Sequence, residues 1–234
     1  MADGIYVSMC GAAARTEQLD SIADNLANTQ TPGFKASRPS FEAFLARSGA
    51  ADKTYPASVA TRFDLRAGPT TQTGNALDVV PDDGAFLAVQ TPSGPAYTRD
   101  GRLALDGQGR LVRDGRPVLD RGGAPISVPP GTRPQIDPDG TVHAGDAIVG
   151  QLATFTLSGE VNRVGPSLFA PGPRGASQQV AVQVRTGELE TGGASPLAGM
   201  VQLISSQRSF DASMQALQTY RSMDSRGNDL GRVR

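Results

Sequence analysis

Residues 25–35 read NLANTQTPGFK, and in this stretch one kind of structure must give way to another. Pro32 disfavours helical backbone at Thr31, and Pro-Gly at the centre of Thr31 to Phe34 suits a type II turn, in which Gly33 supplies the positive φ. A helix arriving from the N-terminal side therefore stops here and the chain redirects. Phe34 then falls beside the helix end, where a large apolar ring can pin the bend.

Working outward, no glycine or proline occurs from Ala12 to Thr31, and none from Met200 to Arg226, whereas the interval between is punctuated every few residues. Helices are expected at the two ends. Ile5, Met9, Ala12, Thr16, Leu19, Ala23 and Leu26 alternate in steps of four and three, the heptad seam of a helix that packs lengthwise on another helix. Met200, Leu203, Gln207, Phe210, Met214 and Leu217 repeat the alternation. The candidate interface residues are Ile5, Met9, Ala12, Leu19, Ile22, Leu26, Met200, Leu203, Phe210, Met214 and Leu217. At 1.5 Å per residue, such helices would be rods of roughly 40 Å, too long for a small globule to bury end to end.

Between the ends, residues 76–190 read as short strands: AFLAVQT, AYT, RLALD, RLVR, PVL, AIVGQLATFTL and VAVQVRT. Asp100-Gly101, Asp106-Gly107, Asp114-Gly115 and Asp139-Gly140 separate them and suit hairpin turns. An antiparallel β domain is expected, as a sandwich or a distorted barrel. Residues 36–75 form a connector, with Phe41, Phe44 and Leu45 at helical spacing followed by an extended threonine-rich stretch. The predicted class is thus α+β: long, coiled-coil-like N- and C-terminal helices flanking a central antiparallel β domain. Its segments are 1–35 (helix and turn), 36–75 (connector), 76–190 (β domain) and 191–234 (helix and tail).

Composition narrows the function. A net charge of −1 offers no basic footprint for nucleic acid. The 28 glycines and 17 prolines, against 5% aromatic residues and no tryptophan, imply a small, turn-rich aliphatic core. Only Lys35 and Lys53 among the 22 basic residues are lysines, and an arginine excess suits bidentate contacts between subunits as well as it reflects a coding bias. A single cysteine, Cys10, excludes an internal disulfide. No run approaches the roughly 18 apolar residues of a membrane span. The opening MADGIYVSMC lacks the pattern of a cleaved leader, so the general secretory route is not indicated.

Chemistry is sparse. His143, the one histidine, has no cysteine cluster around it and reads as a loop residue. Asp137, Asp139 and Gly140 open like a calcium loop, but Ile148 stands where the closing glutamate belongs, so a β-turn explains them. GQGRLV, residues 107–112, lacks the third glycine of a dinucleotide fingerprint. No serine sits in a nucleophile elbow. No catalytic residue, cofactor, metal or small-molecule substrate is expected. The rival readings are an enzyme on the β domain, which needs a cleft with perturbed titratable groups, and a binding module with dispensable helices.

Three stretches in order carry a family resemblance. IADNLANTQTPGFK (22–35) resembles the N-terminal signature of the bacterial flagellar axial proteins, the rod and hook subunits. Residues 73–119, TGNALDVVPDDGAFLAVQTPSGPAYTRDGRLALDGQGRLVRDGRPVL, resemble that family's middle segment. GELETGG, then MVQLISSQRSFDASMQALQTYRSMD, resembles its C-terminal helix. Gly192, Gly193 and Ala194 depart from the usual Ser-Asn-Val turn, and PDDG at 81–84 from the commoner Ile-x-Gly form. The short connector and the tail RSMDSRGNDLGRVR resemble the proximal rod type, with the distal rod type as the alternative.

The resemblance implies a non-enzymatic, self-assembling subunit of the flagellar basal-body rod, exported by the type III apparatus without a cleaved leader and placed in the periplasm-spanning shaft. Its partners would be copies of itself and other rod proteins. The family turn motif falls on Asn25, Asn28, Thr31, Pro32, Gly33 and Phe34.

Overall fold

A computed structural model describes residues 2–45, 54–193 and 195–231. The chain divides into two compact units, residues 1–27, 37–62 and 194–234 forming unit 1 and residues 28–36 and 63–193 forming unit 2.

Unit 1 holds both helices. Helix α1 (Ala2–Ala27) covers most of the stretch free of helix breakers and ends before a turn at residues 28–30 that leads into Thr31-Pro32-Gly33. Strands β1 (Ser37–Leu45) and β2 (Thr54–Phe63) pair as a two-stranded sheet. The last described element is α2 (Pro196–Gly231), which packs along α1. Proline suits the first position of α2 because its missing N–H would have no helical partner there. Ser195 stands before it, its carbonyl accepting from Gly199 at 2.9 Å.

Unit 2 is built from short strands. After β3 (Thr70–Gln72) and β4 (Val79–Pro81) come β5 (Phe86–Thr91) and β6 (Gly94–Thr98), a hairpin with Thr91 opposite Gly94. Strands β7 (Ala104–Leu105), β8 (Leu111–Arg113) and β9 (Arg116–Pro117) make one three-stranded sheet. Another comprises β10 (Pro134–Ile136), β11 (Thr141–Ala144) and β12 (Ala147–Gln151). The long hairpin β13 (Thr154–Gly165) and β14 (Leu168–Val180) closes with β6 and β5 into a small antiparallel barrel. Finally β15 (Val184–Thr186) pairs with β4 and β16 (Glu188–Glu190) with β3, so the two ends of unit 2 are bound side by side.

Two apolar clusters make the core. Leu87, Val89, Leu111, Val118, Ile126 and Leu168 belong to one, and Phe86, Tyr97, Leu119 and Phe169 to the other. Phe169 meets Phe63 and Phe86 edge-on, with centroids 5.4 and 6.0 Å apart, a favourable arrangement of ring quadrupoles.

The structure corrects the predicted class. More residues lie in strands than in helices, with sixteen strands against two helices among the described residues, so the chain is strand-dominated and not the expected α+β arrangement of coiled-coil-like ends about a β domain. One reason is the connector: the residues read as a short helix form β1, and the threonine-rich stretch contributes β2 and β3. A second is the hairpin β13–β14, which extends well past the quoted runs because glycine and β-bulges carry it through GEVNRVG and APGPRGASQQ. The third is the seam itself. Thr16, Ala23 and Gln207, all members of the two heptad rows, are exposed.

The Asp-Gly pairs divide. Asp114 and Gly115 both take positive φ, 51° and 73°, as a type I′ hairpin between β8 and β9 requires. Asp100-Gly101 makes no hairpin. A Cβ on Gly101 would lie 1.6 Å from the Val79 carbonyl oxygen, so glycine there permits a close crossing of two backbones.

Candidate assembly surface, family turn and buried charges

Within unit 1, Ile22 is buried, at 5% exposure, and Leu19 and Leu26 are half-buried. On α2 the sheltered row is Gly199, Leu203, Ser206, Phe210 and Ser213, with Ser206 buried. Leu203 and Phe210 belong to both this row and the predicted one, whereas Met200 and Met214 are exposed. Ile5, Met9, Ala12 and Leu217 have side chains outside the described residues.

The sheltered row leaves another face open. Leu197, Met200, Val201 and Ile204 are 74, 52, 62 and 52% exposed. Their spacing of three, one and three residues puts them on one side of the first two turns of α2. Four large apolar side chains on adjacent positions of one helix form a patch, not the scatter of single apolar residues that every surface carries.

The turn motif is built as its sequence requires. Phe34 N donates to the Thr31 carbonyl at 3.2 Å, and Gly33 has φ of 68°, so Pro32 and Gly33 occupy the two central positions of the turn. Asn28 caps the preceding turn, its carbonyl accepting from Thr31 N and its side-chain oxygen from Thr31 Oγ1, both at 3.1 Å. Gly33 lies against another backbone, and a Cβ there would come within 2.1 Å of Asp100 N. Phe34 is buried with the Arg163 guanidinium 4.6 Å from its ring centroid. In unit 1, Asn25 fastens the start of β1: its amide donates to the Ser37 carbonyl and its oxygen accepts from Ser37 N, each at 2.8 Å.

Sequence reasoning missed the most unusual group, a buried charge cluster in unit 2. Glu190 accepts from Lys35 Nζ at 2.6 Å on one oxygen and from Arg99 Nε at 2.7 Å on the other, and all three side chains are at most 2% exposed. Arg99 also donates to the carbonyls of Pro81 and Ala85. Burial pushes the Glu190 carboxyl up, but Arg99 and Lys35 outweigh it and hold the group below the usual carboxylate range. Burial pushes Lys35 down, and Glu190 offsets this only in part. Nearby, Asp100 is buried with Arg102 and Arg113 on its oxygens, and their hydrogen bonds overcome burial to lower it. Lys35 was visible as one of two lysines, directly after the TPGF turn, and Glu190 closes GELE. No periodicity connects residues 155 positions apart.

Glu190 spends both oxygens on its partners, so it offers no free atom to a substrate. His143 Nε2, on β11, lies 3.0 Å from Asp137 Oδ2, a half-buried histidine beside an exposed aspartate on the β10–β11 hairpin. No group of three or more metal-binding side chains occurs among the described residues. No helix among them is long and apolar enough to cross a membrane.

Comparison with known proteins gives three consistent matches. Residues 5–35 match the model of flagella basal body rod proteins, 82–144 the flagellar hook protein FlgE/F/G D1 domain, and 185–230 the C-terminal model of flagellar basal body rod FlgEFG proteins. The chain is 33% identical over 238 residues to flagellar basal-body rod protein FlgF of Mesorhizobium japonicum, covering 99% of each. It is 32% identical over 248 residues to the protein of the same name from Salmonella typhimurium, 98% of each being covered. The Caulobacter vibrioides protein of that name is 31% identical over 233 residues, or 91% of each.

Proposed function

Since the chain belongs to the FlgF family of flagellar basal-body rod proteins and is a structural subunit of the proximal rod, we propose that it polymerises through its terminal helices into the torque-transmitting shaft. The carrying observation is the open apolar face of α2, where Leu197, Met200, Val201 and Ile204 stand more than half exposed. Burying such side chains contributes roughly 1.5–3 kcal/mol each, a gain that packing along α1 leaves unused.

Neighbouring subunits, copies of this chain or other rod proteins, cover that face. The interface candidates on α1, including Ile5, Met9 and Ala12, belong to the same contact system. Contacts of this kind are heterologous, one surface meeting a different one, and generate an open polymer. The subunit reaches the basal body through the type III export apparatus without a cleaved leader, and performs no catalysis.

Val201→Glu and Ile204→Glu place charges on the face without touching the core of unit 2. Cells carrying both should make normal amounts of protein whose barrel melts as in the wild type, yet should not incorporate it into rods and should not swim. Normal swimming with intact rods would remove the α2 face from the interface.

A further inference from the structure

The backbone passes between the two units at four places: after residues 27, 36, 62 and 193. Inside unit 2 the segments next to all four crossings are stitched to one another around the buried charges. Lys35 stands just before the second crossing, and its ammonium donates to the carbonyl of Arg66, shortly after the third, at 2.5 Å. The same ammonium meets Glu190, three residues before the fourth. Gly33 N donates to the Glu190 carbonyl at 2.9 Å, and Asp64 N to the Ala36 carbonyl at 2.9 Å. Gly192 closes the set, because a Cβ there would lie 2.6 Å from the Asn28 carbonyl oxygen and 2.7 Å from that of Thr29. Only glycine brings the last segment so close to the first.

We infer that Glu190 is a positioning residue whose carboxylate, held between Lys35 and Arg99, joins into one anchorage the three segments by which the chain makes its four crossings into and out of unit 2. Apolar packing alone would fill this space, and a buried ion pair is a weak source of net stability compared with a hydrophobic replacement. What the charges add is direction. The Arg99 guanidinium is a rigid fork and the Lys35 ammonium carries three N–H donors, and between them they reach the carbonyls of Arg66, Pro81 and Ala85 as well as the carboxylate. A methionine in either place would fill volume and hold no carbonyl. The barrel formed by β5, β6, β13 and β14 has its own ladders and depends on none of these bonds. The inference concerns the subunit before assembly and stands whether or not the helices polymerise.

Amide hydrogen exchange on the full-length chain tests it. The reporters are Gly33, Asp64 and Thr191 for the anchorage, and Ala88, on β5, for the barrel, all of them backbone donors within unit 2. In Glu190→Gln, which removes the charge and keeps the shape, the anchorage amides should exchange at least about tenfold faster relative to the barrel amide. In the triple variant Lys35→Met, Arg99→Met, Glu190→Leu, barrel exchange should match the wild-type rate while the anchorage amides are fast. Equal acceleration of anchorage and barrel in Glu190→Gln would reduce the cluster to global stability and overturn the inference. So would unchanged anchorage amides in Glu190→Gln, or wild-type anchorage rates in the triple variant. If Glu190→Gln does not fold, the triple variant decides by the same comparison.

Discussion

At the scale of single residues, two glycines with the same backbone conformation have different reasons to be glycine. Gly33 and Gly115 have φ of 68° and 73°. A Cβ at Gly115 meets nothing within 4 Å, whereas at Gly33 it would overlap Asp100 N and the Arg99 carbonyl carbon, at 2.1 and 2.4 Å. Gly115→Ala should therefore cost only the strain of a left-handed alanine, about 1–2 kcal/mol. Gly33→Ala adds a collision between two backbones that no rotamer relieves, and should cost more than about 3 kcal/mol. Urea unfolding of the barrel measures both, and equal losses would contradict the close approach. The sequence showed that Gly33 belongs to a turn. It did not show that the turn is pressed against the backbone of Arg99 and Asp100, just past the end of β6, which is a tertiary fact.

At the scale of elements, the legible parts were those written in local chemistry: the turn at Pro32-Gly33 beyond the end of α1, the type I′ hairpin at Asp114-Gly115, and the runs that became β5, β6 and β8. Pairings such as β4 with β15 and β3 with β16 were not legible, since they join segments more than 100 residues apart through three residues each. The seam of α2 shows a subtler limit. A heptad reading keeps the alternation of three and four, so it chose Met200, Gln207 and Met214. The sheltered row includes Gly199, Ser206 and Ser213, small residues that let a neighbouring helix come close. Ser206 is 4% exposed, so Ser206→Leu should overpack the helix pair and destabilise unit 1 by about 1–3 kcal/mol. Gln207→Leu, on an exposed position one residue further on, should change stability by less than about 0.5 kcal/mol. Helical circular dichroism during thermal melting distinguishes the two, and the opposite ranking would restore the heptad seam.

At the scale of the whole molecule, the two units have different sources of stability. Unit 2 has two buried apolar clusters, a closed barrel and the ionic anchorage. In α2, 36 residues long, Ser206 is the one buried side chain among those described. Fixing a helix costs about 1–2 kcal/mol of backbone entropy per residue, and isolated helices are marginal without an apolar partner. The half-buried Leu203 and Phe210 offset part of that cost. The exposed Leu197, Met200, Val201 and Ile204 offset none of it until a neighbouring subunit covers them. The isolated subunit should therefore unfold in two steps, with helical signal lost at a lower temperature than barrel signal. Amides of residues 200–216 should exchange well before those of β5 and β13, and rod assembly should slow them towards barrel rates by burying the open face. A monomer whose α2 amides exchange as slowly as its barrel would show that the helix pair is stable by itself, and would leave the apolar face of α2 without an energetic role in assembly.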